Sequence, residues 1–332
     1  MFCVKGFPSF NSIIMIPQTG TGKWLTVFSI FAVLILGGCG NRNLLEETDT
    51  PTSGRMKVGI DDSYRLMMEA QIYAFETFYM NAKIDTVFGS EADIFNGFLN
   101  DSLPLIVVNR ELTPEELKFL EQGQIIPKTT LVASDAIAFI LNRENPDSNL
   151  YFEHIRDIFT GRITDWSQIN PASKLGEVKM VFDNYKSGNP RYFREKFSVD
   201  KLPANCYALN SNNEVLGFVE RNRNAIGVIS VNWISDPEDS VSNNFLDRIT
   251  VAGISNEGNN DPSAAFYQPY QAYIAQGDYP FVRKVYCINR QTYTGLGYGL
   301  SAFVAGEKGQ LIMLRSGLVP AAMPVRIVEI TH

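Results

Sequence analysis

From residue 56 onward, short apolar segments alternate with longer segments in which apolar residues recur at helical spacing. In the first part of the chain, the short segments predict strands and the periodic segments predict helices. The predicted strands cover residues 56–60, 84–88 and 105–108, and the predicted helices cover residues 64–80, 92–99 and 113–121. This alternation favours an α/β fold with a mainly parallel sheet and helices on both of its faces.

The rest of the chain continues the same alternation. Further strands are predicted at residues 136–141, 178–182, 225–231, 282–288 and 325–330. Further helices are predicted at residues 151–159, 191–197 and 211–220, around Gln271, and as two short helices between residues 299 and 315. The polar residues 235–244 predict a loop.

Length and charge limit the kinds of partner. A chain of 332 residues with 45% hydrophobic content is long enough for about two domains. Its net charge of −7 is unfavourable for nucleic acid, which requires clustered Lys and Arg, so we expect no nucleic-acid partner. An anionic ligand would need local donors that act against the overall field of the protein.

The N-terminal residues predict export. Lys23 precedes an apolar run at residues 24–36, and thirteen residues suit a signal peptide but are too few to cross a bilayer. Residues 36–39 (LGGC) are similar to a bacterial lipobox, which predicts cleavage before Cys39 and acylation of its sulfur. We therefore predict a lipoprotein signal peptide at residues 1–38, with a plain secretory signal as the alternative. The polar residues 39–55 predict a flexible tether.

Once Cys3 is removed and Cys39 is acylated, the two cysteines that remain are Cys206 and Cys287. Export would permit a disulfide between them. Both lie in segments with strand character, where a small buried thiol is equally suitable. The sequence leaves both alternatives open, because spacing alone does not determine the geometry of a disulfide.

Residues suited to catalysis are sparse. The two histidines are His154, in a predicted helix, and His332, the last residue. The sequence contains neither a set of His and Cys residues at zinc spacing nor a GxSxG motif. We therefore expect binding rather than turnover, and neither a metal nor a cofactor.

Three junctions between a predicted strand and the following helix carry small polar residues. They are Asp62-Ser63, Gly89-Ser90 and Ser187-Gly188-Asn189. Each supplies a hydroxyl group and unpaired backbone N–H groups at the positive end of a helix, an arrangement that can hold an anion. The alternative is that these residues only cap their helices, since Ser, Asp and Gly are preferred there.

Several motifs resemble those of the PstS-like phosphate-binding proteins of ABC transporters, over nearly all of the predicted mature chain. The most specific is residues 155–166 (IRDIFTGRITDW), which resembles the family pattern l..iFtGkitnW. The others are residues 131–138 (LVASDAIA), residues 224–229 (NAIGVI), the set Tyr279, Pro280, Arg283 and Tyr286, and Gly309-Gln310 with residues 317–320 (GLVP).

The resemblance implies a type II periplasmic-binding-protein fold with two α/β lobes around a hinge and a ligand cleft. Lobe one would comprise residues 55–132 and 265–332, and lobe two residues 133–264. The implied function is extracytoplasmic binding of inorganic phosphate, or a similar tetrahedral oxyanion, for an ABC permease. We expect a monomeric lipoprotein of the periplasm or cell envelope, held at the membrane through Cys39.

The resemblance also implies the ligand-binding residues. Ser63-Tyr64, with Asp62 beside them, match the first anion-binding loop of the family, and Ser90 matches the second. The third loop corresponds to Ser187-Gly188-Asn189, and Arg110 corresponds to a charged site after the third strand.

Two residues of the third loop depart from the family pattern. Asp183 stands where the family has Arg, and Asn189 stands where it has Thr. Asp183 either accepts a hydrogen bond from a protonated ligand oxygen or repels the anion. Arg110 or Arg191 could restore the positive charge, although each could instead form a salt bridge.

The rival interpretation is an exported scaffold or sensor lipoprotein that kept this fold but lost anion binding. Asp183 and Glu91, two acidic residues beside the expected pocket, favour it. An enzyme acting on phosphorylated solutes is a third possibility, which the shortage of a nucleophile and a base disfavours.

Overall fold

The computed structural model describes residues 49–234 and 248–322, which belong to one compact unit. The predicted signal peptide, Cys39, the polar loop at residues 235–244 and the strand at residues 325–330 lie outside the described residues. Within the described part, no helix is both long and apolar enough to cross a membrane.

The first part of the chain forms the predicted alternation of strands and helices. The strands are β1 (Gly54–Asp61), β2 (Ala82–Gly89) and β3 (Leu105–Val108), and the helices are α1 (Arg65–Phe78), α2 (Glu91–Leu99) and α3 (Pro114–Gln122). Each begins and ends within about two residues of its predicted bounds. Strand β1 pairs in parallel with both β2 and β3.

The second part adds the remaining elements. Its strands are β4 (Lys128–Asn142), β5 (Asn149–Leu150), β6 (Lys179–Phe182), β7 (Cys206–Ala208), β8 (Ala225–Ser230), β9 (Ile249–Val251), β10 (Gly253–Ser255), β11 (Phe266–Tyr267), β12 (Val282–Asn289) and β13 (Val319–Pro320). Its helices are α4 (Phe152–Phe159), α5 (Gly188–Phe197), α6 (Asn212–Arg221), α7 (Gln271–Gln276), α8 (Leu296–Ala305) and α9 (Glu307–Arg315). Helix α5 begins three residues before its predicted start, which places Ser187 at its N-cap.

The large sheet has the strand order β2-β1-β3-β12-β4-β8-β6-β7, with β9 and β13 also paired to β4. Its two ends are parallel, since β1, β2 and β3 run together and so do β6, β7 and β8. The long strands β4 and β12 join these ends through antiparallel pairings. The α/β class is confirmed, and the antiparallel centre is an addition to it.

The two halves of strand β4 pack into separate hydrophobic cores. Val132 and Ala133 pack into a core with β1 and α8, whereas residues 136–141 pack into a core with β6 and β8. Ile274 and Phe281 belong to the second core. The predicted lobe bounds, which assign Ile274 and Phe281 to lobe one, stay a prediction.

Residues 49–55, the last part of the predicted tether, contact the rest of the chain, whereas residues 39–48 lie outside the described residues. The carboxylate of Asp49 accepts hydrogen bonds from the Tyr293 hydroxyl (2.5 Å) and the Leu296 amide (2.7 Å). Strand β1 then begins at Gly54. The chain is therefore fastened to the start of α8 from residue 49 onward.

The two described cysteines are free thiols. Cys206 on β7 and Cys287 on β12 are both buried, and burial raises the pKa of each thiol to about 12. Of the two alternatives that the sequence left open, the structure has the buried thiols. Neither thiol is expected to ionise near neutral pH, so neither is a reactive nucleophile.

Phe193 on α5 lies at the centre of the second core. It is fully buried, its ring stacks on Phe159 with centroids 4.0 Å apart, and it also contacts the rings of Phe139 and Phe281. Its position ties α5 to α4 and to the sheet. Helix α5, for which Ser187 is the N-cap, is therefore held by aromatic packing.

We predict that Phe193→Ala lowers the free energy of unfolding by about 3–5 kcal/mol, because a large cavity replaces the ring. Urea denaturation followed by circular dichroism measures this change. Phe119, whose side chain is 55% exposed, provides the control, and Phe119→Ala should change stability by no more than about 0.5 kcal/mol. Equal effects of the two substitutions would contradict this account of the core.

Candidate ligand-binding site

The loops that follow β1, β2, β3 and β6 meet at one place. The amide of Ala92, at the start of α2, donates to the carbonyl of Lys186 in the loop after β6 (3.2 Å). The Asn109 side chain, after β3, donates to Asp61 at the end of β1 (3.0 Å). Asn109 also lies against Gly188, where a Cβ atom would overlap its amide group. The structure thus brings the predicted junctions together at the carboxyl ends of the strands.

The first loop is a short 3₁₀ turn over Asp62–Tyr64. The Asp62 carboxylate accepts two hydrogen bonds from Arg65 (2.6 and 2.8 Å) and one from Asn212 (3.2 Å). Ser63 and Tyr64 are fully buried. Within the described residues the buried Ser63 hydroxyl has no hydrogen-bond partner.

Ser90 acts as the N-cap of α2. Its hydroxyl accepts from the Asp93 amide (3.3 Å) and donates to the Asp93 carboxylate (2.7 Å). Lys186 also donates to Asp93, at 3.2 Å. Ser90 therefore has the predicted capping role. Its hydroxyl, which a ligand would use, is already hydrogen-bonded to Asp93.

The third loop is organised around Asp183, which is buried. The Ser187 hydroxyl donates to Asp183 Oδ1 (2.7 Å), and the Asn189 side-chain amide donates to the same oxygen (3.2 Å). Burial raises the pKa of Asp183, whereas the hydrogen bond from Ser187 acts to lower it. Asp183 therefore acts as an acceptor for the two side chains that the family resemblance assigns to the anion.

Arg110 is committed to an ion pair. Its two terminal nitrogens donate to the carboxylate of Glu116 (2.7 and 2.8 Å), and its guanidinium lies 3.5 Å from the centre of the Phe95 ring. Glu116 is also the acidic member of the capping box of α3. The predicted contact between Arg110 and the ligand stays a prediction, and it would require this pair to open.

Arg191, four residues into α5, contacts the start of α2. It donates to both oxygens of Glu91 (2.5 and 3.0 Å) and to the side-chain oxygen of Asn109 (2.5 Å). Glu91 is only 3% exposed. The salt bridge considered for Arg191 is present, and a contact between Arg191 and the ligand stays a prediction.

Asp61 was missed by the sequence analysis. Its carboxyl group is fully buried and accepts from the amide of Ser63 (2.9 Å) and from Asn109. Burial and the negative charge of Glu91, opposed by the positive charge of Arg283, raise the pKa of Asp61 to about 7. The only sequence signal was the pair of aspartates after the first strand.

Arg283 and Asp135 form a second group that the sequence did not predict as part of the site. They are opposite each other on β12 and β4, and Arg283 Nε donates to Asp135 at 2.8 Å. Arg283 also donates to Asn189 (2.8 Å), and its other terminal nitrogen has no partner among the described residues. In the sequence Arg283 is only part of a motif, because sequence does not show burial.

A cleft of about 530 Å³ opens beside these loops. Three carboxylates border it, from Asp62, Asp93 and Asp183, together with the guanidinium of Arg65. The polar groups of Ser90 and Asn184 and the aromatic rings of Phe88 and Trp233 complete much of its wall. The cleft is thus a polar site with more acidic than basic side chains.

His154 caps its own helix. The amide of Tyr151 donates to its Nδ1 atom (3.4 Å), and burial lowers its pKa. Within residues 49–234 and 248–322, the His, Cys, Asp and Glu side chains form no group of three that could hold a metal ion.

Comparison with known proteins places this fold in a family. The family model for the PBP superfamily domain matches residues 45–308, and the chain belongs to that superfamily. Among its curated relatives is the phosphate-binding protein PstS of Staphylococcus saprophyticus, 22% identical over 220 residues. The match covers 65% of this chain and 65% of the relative, so the chain spans just under two thirds of that protein. The resemblance to PstS-like proteins is confirmed.

Solved structures show the same fold. A substrate-binding protein assigned to a phosphate ABC transporter of Clostridium perfringens, crystallised with bound phosphate, has a TM-score of 0.67 and 21% identity. The match covers 81% of this chain and all of that one. An ABC-type phosphate transport receptor from Vibrio cholerae has a TM-score of 0.58 and 18% identity, covering 80% of this chain and all of the receptor. The predicted periplasmic-binding-protein fold is confirmed.

The raised pKa of Asp61 predicts how stability depends on pH. A carboxyl group that keeps its proton in the folded state stabilises the protein fully below its unfolded pKa of about 4. This contribution is lost as the pH rises toward the folded pKa of about 7. Between pH 5 and 7, wild-type stability should therefore fall, by at most about 1.4 kcal/mol per pH unit from this group.

Asp61→Asn should flatten this slope, because the substituted side chain does not titrate. Urea denaturation at several pH values between 5 and 8 measures the difference between the variant and the wild type. Asp200→Asn, at an exposed position, is the control and should keep the wild-type slope. Identical slopes for Asp61→Asn and the wild type would contradict the assignment.

Proposed function

We propose that the cleft binds inorganic phosphate, or a similar tetrahedral oxyanion, outside the cytoplasm and delivers it to an ABC permease. The observation that carries the proposal is that the loops after β1, β2 and β6 line one cleft, with the N-terminus of α2 in its wall. Asp183, also in that wall, accepts a hydrogen bond from Ser187 at the start of α5. Helix N-termini offer unpaired N–H groups and a positive dipole to an anion. The names of the relatives agree with this class of ligand.

The donors for the anion come from two loops. The Ser63 hydroxyl is buried and unpaired within the described residues, and the first N–H groups of α5, at Gly188 and Asn189, have no acceptor within the helix. Three other predicted ligand-binding residues, Asp62, Tyr64 and Ser90, shape the site and provide additional contacts. Tyr64 encloses the first loop, while Asp62 and Ser90 border the cleft.

Asp183 favours a protonated form of the ligand. Its pKa is raised by burial, so it can share a proton with a bound phosphate oxygen more readily than an exposed aspartate could. Of the two roles open to Asp183, we favour this one over repulsion. The same carboxyl group also orients Ser187 and Asn189.

The protein acts in this proposal as a monomeric binding protein and not as an enzyme. The relatives are named as binding proteins, and His154, the one histidine in the described residues, serves to cap a helix. Neither a cofactor nor a nucleic acid takes part.

One set of contacts favours the alternative of a scaffold or sensor that lost anion binding. The carboxylates of Glu91, Glu116 and Asp183 accept hydrogen bonds from Arg191, Arg110 and Ser187, respectively. Many of the hydrogen-bond donors of the site are therefore already paired within the protein. A direct binding measurement separates the two functions.

Inorganic phosphate should bind to the purified full chain in isothermal titration calorimetry. Ser63→Ala removes a hydrogen bond to a charged acceptor, worth about 1.5–3 kcal/mol, and should weaken binding about tenfold to a hundredfold. Ser167→Ala, at an exposed turn, is the matched control and should bind as the wild type does. If phosphate, sulfate and molybdate all fail to bind at millimolar concentration, the proposed binding of oxyanions is wrong and the scaffold alternative replaces it.

The proposed location rests on residues 36–39. In a bacterium with a lipoprotein pathway, the wild type should fractionate with membranes, because acyl chains on Cys39 contribute about 0.8 kcal/mol per buried CH₂ group. Cys39→Ala should move the protein to the soluble fraction, while Cys206→Ala serves as the control and should stay with the membranes. Equal membrane partitioning of wild type and Cys39→Ala would contradict the lipid anchor.

A further inference from the structure

Helices α2 and α5 belong to different cores of the molecule. Phe95 and Phe98 of α2 pack with Ile106 of β3, whereas Phe193 of α5 packs in the core that contains β6 and β8. The sheet connects these two cores through the long strands β4 and β12. A bend in those strands would separate α2 from α5 and leave each core intact. The contacts between the two helices oppose such an opening.

Glu91 and Arg191 form a buried ion pair between these helices. Arg191 donates to both carboxylate oxygens of Glu91 (2.5 and 3.0 Å), and the two side chains are 18% and 4% exposed. The three side-chain nitrogens of Arg191 all have acceptors, since they also donate to Asn109 and Glu195. A buried ion pair stabilises a contact only when its geometry is good and such additional hydrogen bonds are made, and this pair meets both conditions.

Other contacts that cross the same gap are weaker by type. Lys186 pairs with Asp93, but their side chains are 64% and 54% exposed, and exposed ion pairs contribute little. The amide of Ala92 donates to the Lys186 carbonyl (3.2 Å), which is a hydrogen bond between neutral groups. Asn212 donates one bond to Asp62, at 3.2 Å. The buried ion pair is therefore the strongest link across the gap.

This arrangement also buries the donors that the proposed function assigns to the anion. Ser63 and Asn189 have no exposed surface, and Gly188 is buried and lies against Asn109. An anion can reach these groups only after α2 and α5 separate. The contact that holds the two helices together therefore also limits the entry of the anion.

We infer that Glu91 and Arg191 form an autoinhibitory latch that holds the anion-binding loops closed. Glu91 is itself the negative partner of Arg191, so closure by this pair requires no ligand. The closure is independent of the proposed function, whereas the effect of the latch on anion entry rests on that function.

Small-angle X-ray scattering of the purified full chain in phosphate-free buffer tests the latch. Glu91→Gln removes the negative charge but keeps the shape of the side chain, and it should have a larger radius of gyration than the wild type. Glu195→Gln is the matched control and should keep the wild-type radius, because Glu195 binds the same arginine from within α5. Equal radii for the wild type and Glu91→Gln would overturn the latch.

Unfolding would also enlarge the radius, so each variant is first required to keep the far-UV circular dichroism of the wild type. Arg191→Gln breaks the same pair from the other side, and it replaces Glu91→Gln in the test if that variant does not fold. Addition of phosphate should leave the wild-type radius unchanged and reduce that of Glu91→Gln. A decrease for the wild type as large as that for Glu91→Gln would overturn the latch, because it would show that the wild type is open.

The rate of phosphate association gives a second measurement. If the latch favours the closed form tenfold, Glu91→Gln should bind phosphate about tenfold faster than the wild type, because only the open form admits the anion. Stopped-flow tryptophan fluorescence measures this rate, since Trp233 borders the cleft. An unchanged rate in folded Glu91→Gln would overturn the autoinhibitory role. If phosphate binds to none of the variants, the proposed function fails, and the scattering in phosphate-free buffer still decides whether the latch exists.

Discussion

The buried ion pair between Arg283 and Asp135 joins the parts of the molecule on which the site depends. The two residues are direct neighbours on β12 and β4, the long antiparallel strands that connect the parallel ends of the sheet. Arg283 extends this link to Asn189 at the start of α5, and Ser230 at the end of β8 donates to Asp135. Removing either partner alone would leave a buried charge without compensation, at a cost of about 3–5 kcal/mol. The pair therefore fixes the third loop relative to the sheet.

Besides Asp135, other carboxylates accept hydrogen bonds from the donor side chains of the site. Asp183 accepts a hydrogen bond from Ser187 at the N-cap of α5, and Glu91 binds Arg191 where α2 and α5 meet. Both lie close to positive helix ends, where negative charge is favourable. In the proposed function, an incoming anion must compete with these groups or share a proton with them. Selectivity in the proposed site would then depend on the protonation of the ligand as well as on its charge.

The sequence was most informative where local periodicity determines structure. The strands and helices of the first 75 described residues follow the predicted alternation, and the helix N-cap at Ser90 follows from its residue type. Ser187, by contrast, makes no side-chain capping bond, because its hydroxyl donates to Asp183. Arg110 could have been paired with Glu116, since residues 113–116 (TPEE) carry the signature of a capping box. The partner of Arg191 could not, because Glu91 lies 100 positions away in the chain. Burial of Asp61 and Asp135 likewise arises only from tertiary packing.

The fastening of Asp49 to the start of α8 sets a limit on how far the protein can stand from a membrane. Ten residue steps separate Cys39 from Asp49, and a fully extended chain covers about 3.5 Å per step. With a lipid on Cys39, as proposed, Asp49 would lie within about 35 Å of the anchoring sulfur. The search for a membrane partner would then be confined to a thin layer of the envelope, where tethering raises the effective concentration of one molecule around the other.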